Sequence, residues 1–321
     1  GGIALSVAAR WWTAAPVRVD AEPPESLVCA QGAPCDPTWR TFWYPLDRDE
    51  LSAFRFASMS PEARDAVLRA IVDRCRALGE SGVVPVLVHV GANNMKKERD
   101  MYRFLLSKIT VPYRLVLVEP NANLVPALSK EAASLDLGAA HAPLVVNVAI
   151  CPDRGQKMTL YVPSPDNILA DFRLHRWLAT FGFIDPGVLS EVASLDYERT
   201  ANSLKEFHRL PHVKQEYINE LPVRCATPAD LMADVGASAR DVAFLAVDTE
   251  GFDAQLLAMF LGLQGFDPAV VQFEWAGHHS NDTTKVEALR DIAMALHARG
   301  YELRKEQENM IARIPDDVQG S

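Results

Sequence analysis

Two groups of polar residues stand where buried strands of this chain are expected to end, and each group suits a particular chemistry. The first joins the turn Gly91-Ala92-Asn93 to Glu119, which lies about one βαβ unit further along the chain. Glycine lets a ligand approach the backbone closely, and a glutamate at such a strand end can accept both hydroxyls of a ribose. These residues predict a nucleoside-binding rim. The alternative is a tight turn beside a solvated helix-cap carboxylate.

Asn147 ends a third apolar segment and is assigned to the same rim. Its amide can both donate and accept hydrogen bonds, and it lies close to the small side chain of Ala149. Such a pair suits the edge of an adenine ring. The alternative is an asparagine that satisfies its own turn.

The second group has the residue types needed to take a proton from a hydroxyl, which is otherwise a poor nucleophile. Asp248 and Glu250 alternate at one strand end, so they face opposite ways unless the strand turns there, and Asp248 is expected to face the pocket. Glu274 ends the next strand and His278 follows it, which predicts a base with an orienting partner. Together with the neighbouring His279, His278 could instead be part of a metal-binding site. Since no third ligand has a recognisable spacing, no metal is predicted.

The elements that must position these residues alternate in a regular order. A serine cap followed by Pro61 predicts a helix that begins after Ser60. Apolar runs of strand length, separated by helical segments, lie at 83–90, 114–119, 144–150, 242–247 and 269–275. Strands that are apolar on both faces and alternate with helices predict an α/β fold with a mostly parallel sheet and helices on both faces.

Two segments break this rhythm. Residues 1–58 are rich in proline, tryptophan and turn formers and are interpreted as an N-terminal extension of a domain that covers 59–321. Residues from about 163 to 222 are too long for a plain connection, and they are interpreted as a partly helical insertion near the functional rim.

Composition excludes some classes of function. The chain has 321 residues and a formal net charge of −10 without a dense basic block, which argues against a nucleic-acid partner. No apolar run is long enough to span a membrane, so a soluble protein is predicted. The apolar start of the sequence is interpreted as the remnant of a signal or anchor, or as a mere boundary.

The cysteines leave the compartment open. Cys29 and Cys35 could close a small loop in a secretory lumen, or all five cysteines could be free in a cytoplasm. The oligomeric state is not predicted.

Five short motifs in order resemble those of the FkbM-type methyltransferases. They are GAN at 91–93, EPN at 119–121, NVAI at 147–150, VDTEGFD at 247–253 and FEW at 273–275. The resemblance extends from Val84 to Ile314 and leaves out the extension and the insertion. It implies a Rossmann-like methyltransferase fold with a seven-stranded sheet and S-adenosylmethionine as the cofactor.

The resemblance also assigns roles to residues. It implies that Gly91, Ala92 and Asn93 line the methionine part of the cofactor, that Glu119 holds the ribose, and that Asn147 and Ala149 flank the adenine. Pro120 and Asn121 complete the expected cofactor-binding set. Asp248, Glu250 and Gly251 match the Asp-x-Glu-Gly signature of the family.

The chain departs from the family pattern at two places in the first turn. His89 replaces an aspartate that would help to neutralise the ammonium of the cofactor, and Met95 replaces a glycine. His89 is still placed in the cofactor site, where a neutral imidazole is a weaker acceptor than a carboxylate. These departures predict reduced affinity or a repurposed loop.

The resulting hypothesis is an S-adenosylmethionine-dependent O-methyltransferase that acts on a hydroxyl of a small molecule or glycan. One alternative is a methyltransferase fold with weakened catalysis that serves as a binding or scaffold module. Another is N-methylation of a polar metabolite, which needs no strong general base.

Overall fold

The computed structural model describes residues 61–315, apart from 97, 136, 138–140, 172–191, 207–209, 211, 250, 276–282 and 307–308. The predicted N-terminal extension and the Cys29–Cys35 pair therefore lie outside the described residues. Within the described part of the chain, no helix combines the length and apolarity needed to cross a bilayer.

The helices follow the predicted order, with ends shifted by a few residues. They are α1 Pro61–Glu80, α2 Arg99–Leu106, α3 Val125–Ala133, α4 Pro165–Ala170, α5 Tyr197–Glu206, α6 Pro228–Asp234, α7 Asp253–Leu261 and α8 Thr283–Ala298. Helix α6 shows how local sequence sets a boundary, because Thr227 caps it through a reciprocal capping box with Asp230, and Pro228 takes the first turn.

The strands are short and most of them are buried. They are β1 Val86–Val90, β2 Arg114–Val118, β3 Leu144–Val146, β4 Ala149–Ile150, β5 Met158–Pro163, β6 Ile218–Val223, β7 Cys225–Ala226, β8 Val242–Val247, β9 Val270–Glu274, β10 Glu302–Glu306 and β11 Asn309–Arg313.

The unit Ile71–Glu274 contains a run of parallel strands in the order β9-β8-β1-β2-β3. The order reverses at β1, which has β2 on one side and β8 on the other. Val90, the last residue of β1, pairs with Val118 at the end of β2 and with Val247 at the end of β8. The residues that follow these strands are thus level with one another at a switch point, where ligands bind in folds of this kind.

In the other unit, β10 and β11 form an antiparallel hairpin in which Arg313 bridges to Glu302 at 3.1 Å. The prediction of an α/β fold with a mostly parallel seven-stranded sheet is therefore confirmed.

The described part of the insertion is a small structure with its own core. Strand β5, which leads into the insertion, pairs antiparallel with β6 at its far end, and helices α4 and α5 lie between these two strands in the chain. Its core cluster contains Ile168, Val192, Ala201, Leu204, Leu210, Tyr217 and Ile218. The predicted partly helical insertion is present, although residues 172–191 lie outside the description.

The structure corrects the prediction of one continuous strand over 144–150. The chain turns at Asn147 and Val148, where the Val148 amide donates to the carbonyl of Val146 at 3.2 Å. After this turn β4 leaves the main sheet and pairs with β7, and Cys151 forms a disulfide with Cys225. The interpretation of these two cysteines as free thiols is therefore wrong.

Candidate functional site

The turn after β1 is packed against the end of β8. Gly91 has a φ of 83°, and a Cβ atom placed there would lie 1.7 Å from the backbone oxygen of Asp248. The amides of Gly91 and Ala92 both donate to the carbonyl of Val118, at 2.9 and 3.0 Å. The Asp248 amide donates to the carbonyl of Val90 at 2.9 Å. Only glycine fits here, because any side chain would enter the neighbouring backbone.

The structure brings Glu119 to this turn. One carboxylate oxygen, Oε2, accepts from the Asn93 amide at 2.8 Å, and the other, Oε1, accepts from the Asn121 amide at 2.8 Å. The side chain is 6 % exposed, and its burial raises the pKa of Glu119 to about 7 against the opposing effect of the two amides. A buried carboxylate thus faces the glycine turn, and it is poised to titrate near neutral pH.

Asn147 supports the same rim from the next strand end. Its Nδ2 donates to the carbonyl of Glu119 at 2.7 Å and to that of Pro120 at 3.1 Å. Its amide nitrogen is therefore used to hold the turn after β2, which agrees with the alternative of an asparagine bound to nearby backbone. Ala149 is buried in β4. Contact of either residue with an adenine stays a prediction.

His89 is buried behind the rim. Its Nδ1 shares a 3.0 Å hydrogen bond with the hydroxyl of Tyr102 in α2. Burial lowers the pKa of His89 to about 4, so the imidazole is uncharged at neutral pH. The residue that replaces the aspartate of the family pattern therefore adds no positive charge beside the expected cofactor ammonium.

The second departure lies in an unusual backbone conformation. Met95 has a φ of 55° and a fully buried side chain. Glycine adopts this left-handed backbone conformation readily, whereas the conformation costs other residues about 1–2 kcal/mol of free energy. The methionine thus keeps the backbone shape that the family glycine would take and fills the space behind it.

A cluster of acidic residues lies beyond the ends of β8 and β9. Asp248 is exposed and follows β8, while Glu274 is the last residue of β9. Asp253, the first residue of α7, is 2 % exposed, and its Oδ2 accepts from the Thr249 hydroxyl and the Gly251 amide, each at 3.3 Å. The pKa of Asp253 is raised well above its usual range, first by burial and then by the charges of Glu274 and Asp248.

The insertion contributes Arg199 to this cluster. The Nη2 of its guanidinium lies 3.8 Å from Oε2 of Glu274, with 19 % of the arginine side chain exposed. A Cβ atom at Gly251 would lie 2.9 Å from Nε of Arg199. The guanidinium therefore lies directly against the loop that follows β8.

Sequence reasoning missed two members of this cluster. Asp253 stands in the VDTEGFD motif and in the first turn of a helix, where an acidic residue is common, so its sequence position gave a weak signal. Arg199 lies in the insertion and carries no sequence signal that links it to Glu274. Two predicted catalytic residues, Glu250 and His278, lie outside the described residues, as does His279.

A family model described as "Methyltransferase FkbM domain" matches residues 89–303. No curated protein matches the chain.

Solved structures give distant similarities. One is an O-methyltransferase from Bacillus cereus in complex with SAH, with 10 % identity, a TM-score of 0.35, and coverage of 82 % of this chain and 86 % of the other. Another is the O-methyltransferase TomG from Streptomyces achromogenes in complex with SAM, with 10 % identity, a TM-score of 0.31, and coverage of 87 % and 99 %. A third is a precorrin-6y C5,15-methyltransferase from Geobacter metallireducens GS-15, with 10 % identity, a TM-score of 0.31, and coverage of 83 % and 92 %. Similarity at this distance carries no information on the chemistry of this chain.

Proposed function

Because the chain belongs to the methyltransferase FkbM domain family, we propose that it methylates a hydroxyl group of a small molecule or glycan. The methyl donor is S-adenosylmethionine. The observation that carries the proposal is the contact between Glu119 and the first turn, in which Glu119 accepts the Asn93 amide at 2.8 Å. A carboxylate that lies beside a glycine turn at a switch point of the sheet can accept hydrogen bonds from the hydroxyls of a ribose.

The chemistry of the rim fits the cofactor. Each carboxylate oxygen of Glu119 accepts a hydrogen bond from one backbone amide, and it can accept a second hydrogen bond from another donor. Vicinal ribose hydroxyls would supply those donors. We assign the ribose to Glu119, the methionine part to the 91–93 turn with His89 behind it, and the adenine to Asn147 and Ala149. Pro120 and Asn121 shape the wall between them.

The acidic cluster is assigned to the acceptor. When bound, S-adenosylmethionine supplies an electrophilic methyl group, and the acceptor oxygen must be aligned with it and freed of its proton. Asp248 and Glu274 lie at neighbouring strand ends and supply carboxylates that can orient a hydroxyl and accept its proton. Glu250 and His278 keep their proposed catalytic roles.

Calorimetry with S-adenosylmethionine and with its demethylated product, S-adenosylhomocysteine, tests the proposal directly. Submillimolar binding is expected for the wild type. The variant Glu119→Gln should bind about tenfold or more weakly, because it loses charge-assisted acceptor sites for the ribose. The matched variant Glu216→Gln, which changes an exposed glutamate of the insertion, should bind like the wild type. Unfolding temperatures recorded in parallel separate loss of binding from loss of fold.

The scaffold alternative rests on the two departures, since Met95 is buried where the family has glycine and His89 is uncharged where it has an aspartate. Absence of binding at millimolar ligand in a folded wild type would favour this alternative and contradict the transferase.

Transfer to oxygen and transfer to nitrogen differ in their need for a base. In turnover assays with methyl glycosides and primary amines as acceptors, Asp248→Asn should lower O-methylation by about a hundredfold or more. Turnover that is nearly intact in this variant would favour N-methylation.

A further inference from the structure

Arg199 meets the acidic cluster although it comes from a distant part of the chain. Its guanidinium contacts the Gly251 loop and lies 3.8 Å from the carboxylate of Glu274. The three residues thus bring together the ends of two sheet strands and a helix of the insertion.

The insertion holds α5 in place through contacts that involve none of the acidic residues. The hydroxyl of Thr200 donates to the carbonyl of Tyr161 at 3.2 Å, and the rings of Tyr161 and Tyr197 pack edge to face at 5.5 Å. Tyr161 also exchanges two backbone hydrogen bonds with Ser194, at 2.8 and 3.1 Å. Arg199 is therefore presented to the cluster by a framework with its own core.

Arg199 places a positive charge beside the carboxylates of the cluster. Burial, followed by the charges of Glu274 and Asp248, raises the pKa of Asp253 well above its usual range, and its buried Oδ1 has no hydrogen-bond partner among the described residues. Asp248 and Glu274 contribute two negative charges, and Arg199 contributes one positive charge. Removal of the guanidinium would make the cluster more negative by one unit charge.

We infer that Arg199 is a specificity-determining residue that limits the preference of this site for the positively charged methyl donor over its neutral product. This inference rests on the proposed function, in which the cluster faces the methyl group. The sulfonium of S-adenosylmethionine carries a charge that the thioether of S-adenosylhomocysteine lacks, so the field of the cluster acts on one ligand and not on the other. By reducing that field, Arg199 lowers the affinity for the donor relative to the affinity for the product.

The test compares the affinities of the two ligands by calorimetry in matched variants. Arg199→Gln should raise the ratio of the product Kd to the donor Kd by about threefold to tenfold, since the loss of one positive charge from a partly exposed cluster has an effect of this size on a nearby cation. Glu274→Gln removes a negative charge and should lower the same ratio. Arg199→Lys should leave it near the wild-type value.

Arg154→Gln is the control for total charge. It removes the same unit charge from a side chain that is 60 % exposed and pairs with Asp230 at 2.9 Å, outside the cluster. Its ratio should equal that of the wild type, and a shift as large as that of Arg199→Gln would overturn the inference.

Two other outcomes also overturn it. In the first, Arg199→Gln weakens both ligands by the same factor or leaves the ratio unchanged, which would reduce Arg199 to a structural role. If that variant does not fold, Glu274→Gln decides alone, and an unchanged ratio there contradicts the inference. In the second, the folded wild type binds neither ligand, and both the proposed function and the inference are then wrong. If both ligands bind and the ratio does not shift in Arg199→Gln, the inference is wrong but the proposed function still holds.

Discussion

The cofactor rim and the acidic cluster are built in different ways, although both stand at the carboxyl ends of the same strands. The rim consists of the 91–93 turn, Glu119 and Asn147, and most of its polar groups are bound to one another or to backbone at 2.7 to 3.1 Å. The carboxylates of the cluster come from the end of β9, the residue after β8 and the start of α7, and its arginine comes from the insertion. The rim is thus positioned by the ends of the sheet strands, whereas the cluster also takes a residue from the insertion. Under the proposed function, the sheet would position the cofactor, and the insertion would contribute to the acceptor end of the site.

Gly91→Ala is the substitution that should destabilise the rim most. The new Cβ would meet the Asp248 backbone oxygen, which cannot move without disturbing the pairing of β1 and β8, so a loss of about 4 kcal/mol or more in the free energy of unfolding is expected. Gly82→Ala is the matched control, because Gly82 has a φ of 80° with nothing within 4 Å of an added Cβ. That variant should cost about 1–2 kcal/mol in urea unfolding. Equal losses in the two variants would show that backbone strain, and not the close approach, explains Gly91.

The disulfide between Cys151 and Cys225 is expected to make the next largest contribution to the free energy of unfolding. Cys151 and Cys225 are 74 residues apart, so reduction should release the unfolded chain and lower the free energy of unfolding by about 3 kcal/mol. Urea unfolding with and without a reductant measures this loss. Cys75 is buried and its pKa is raised to about 12, so it stays an inert thiol under both conditions. If the two unfolding curves superimpose for protein with the bond intact at the start, the bond contributes nothing to stability.

The pH dependence of binding should distinguish the rim from the cluster. The pKa of Glu119 is raised to about 7, so this carboxyl is protonated at pH 6 and ionised at pH 8. Only the ionised form has every acceptor site open to a ribose, and the affinity for S-adenosylhomocysteine should therefore rise about tenfold from pH 6 to pH 8.

Glu119→Gln should remove that dependence, whereas Asp253→Asn should retain it. His89, with a pKa of about 4, remains uncharged across this range. A flat affinity in the wild type, or a dependence that survives in Glu119→Gln, would mean that another group titrates.

A milder change should affect the insertion and spare the rim. Thr200→Val keeps the shape of the side chain but loses the hydrogen bond to the Tyr161 carbonyl, for an expected cost of about 1 kcal/mol in the free energy of unfolding. The Kd for S-adenosylhomocysteine should stay within about twofold of the wild type, a change well below 1.4 kcal/mol. A large loss of product affinity would show that the rim depends on the insertion after all.

Sequence patterns were sufficient to predict the strands and the residues at their ends, because these depend on the order of residues along a short stretch of chain. Apolar runs located the strands, and the rule that parallel strands end at one edge placed Glu119 beside Gly91, as the structure shows. The same rule cannot place Arg199, because its partner Glu274 lies far away in the sequence and no periodic pattern connects them. The disulfide was missed for a similar reason, since β4 leaves the main sheet only because β7 offers it a partner.

The left-handed backbone at Met95 shows another limit. A methionine at that position gives no sign of a positive φ, and only the comparison with the family pattern points to the glycine that would adopt it freely. Tertiary packing decided this conformation, with the buried side chain offsetting the local strain.

The bond between Cys151 and Cys225 also turns the whole insertion into a covalently closed ring. A protease that cuts once anywhere between these two cysteines would open the ring without releasing a fragment. The nicked protein would keep the mass of the intact chain, plus the water added by cleavage, until a reducing agent separated its halves.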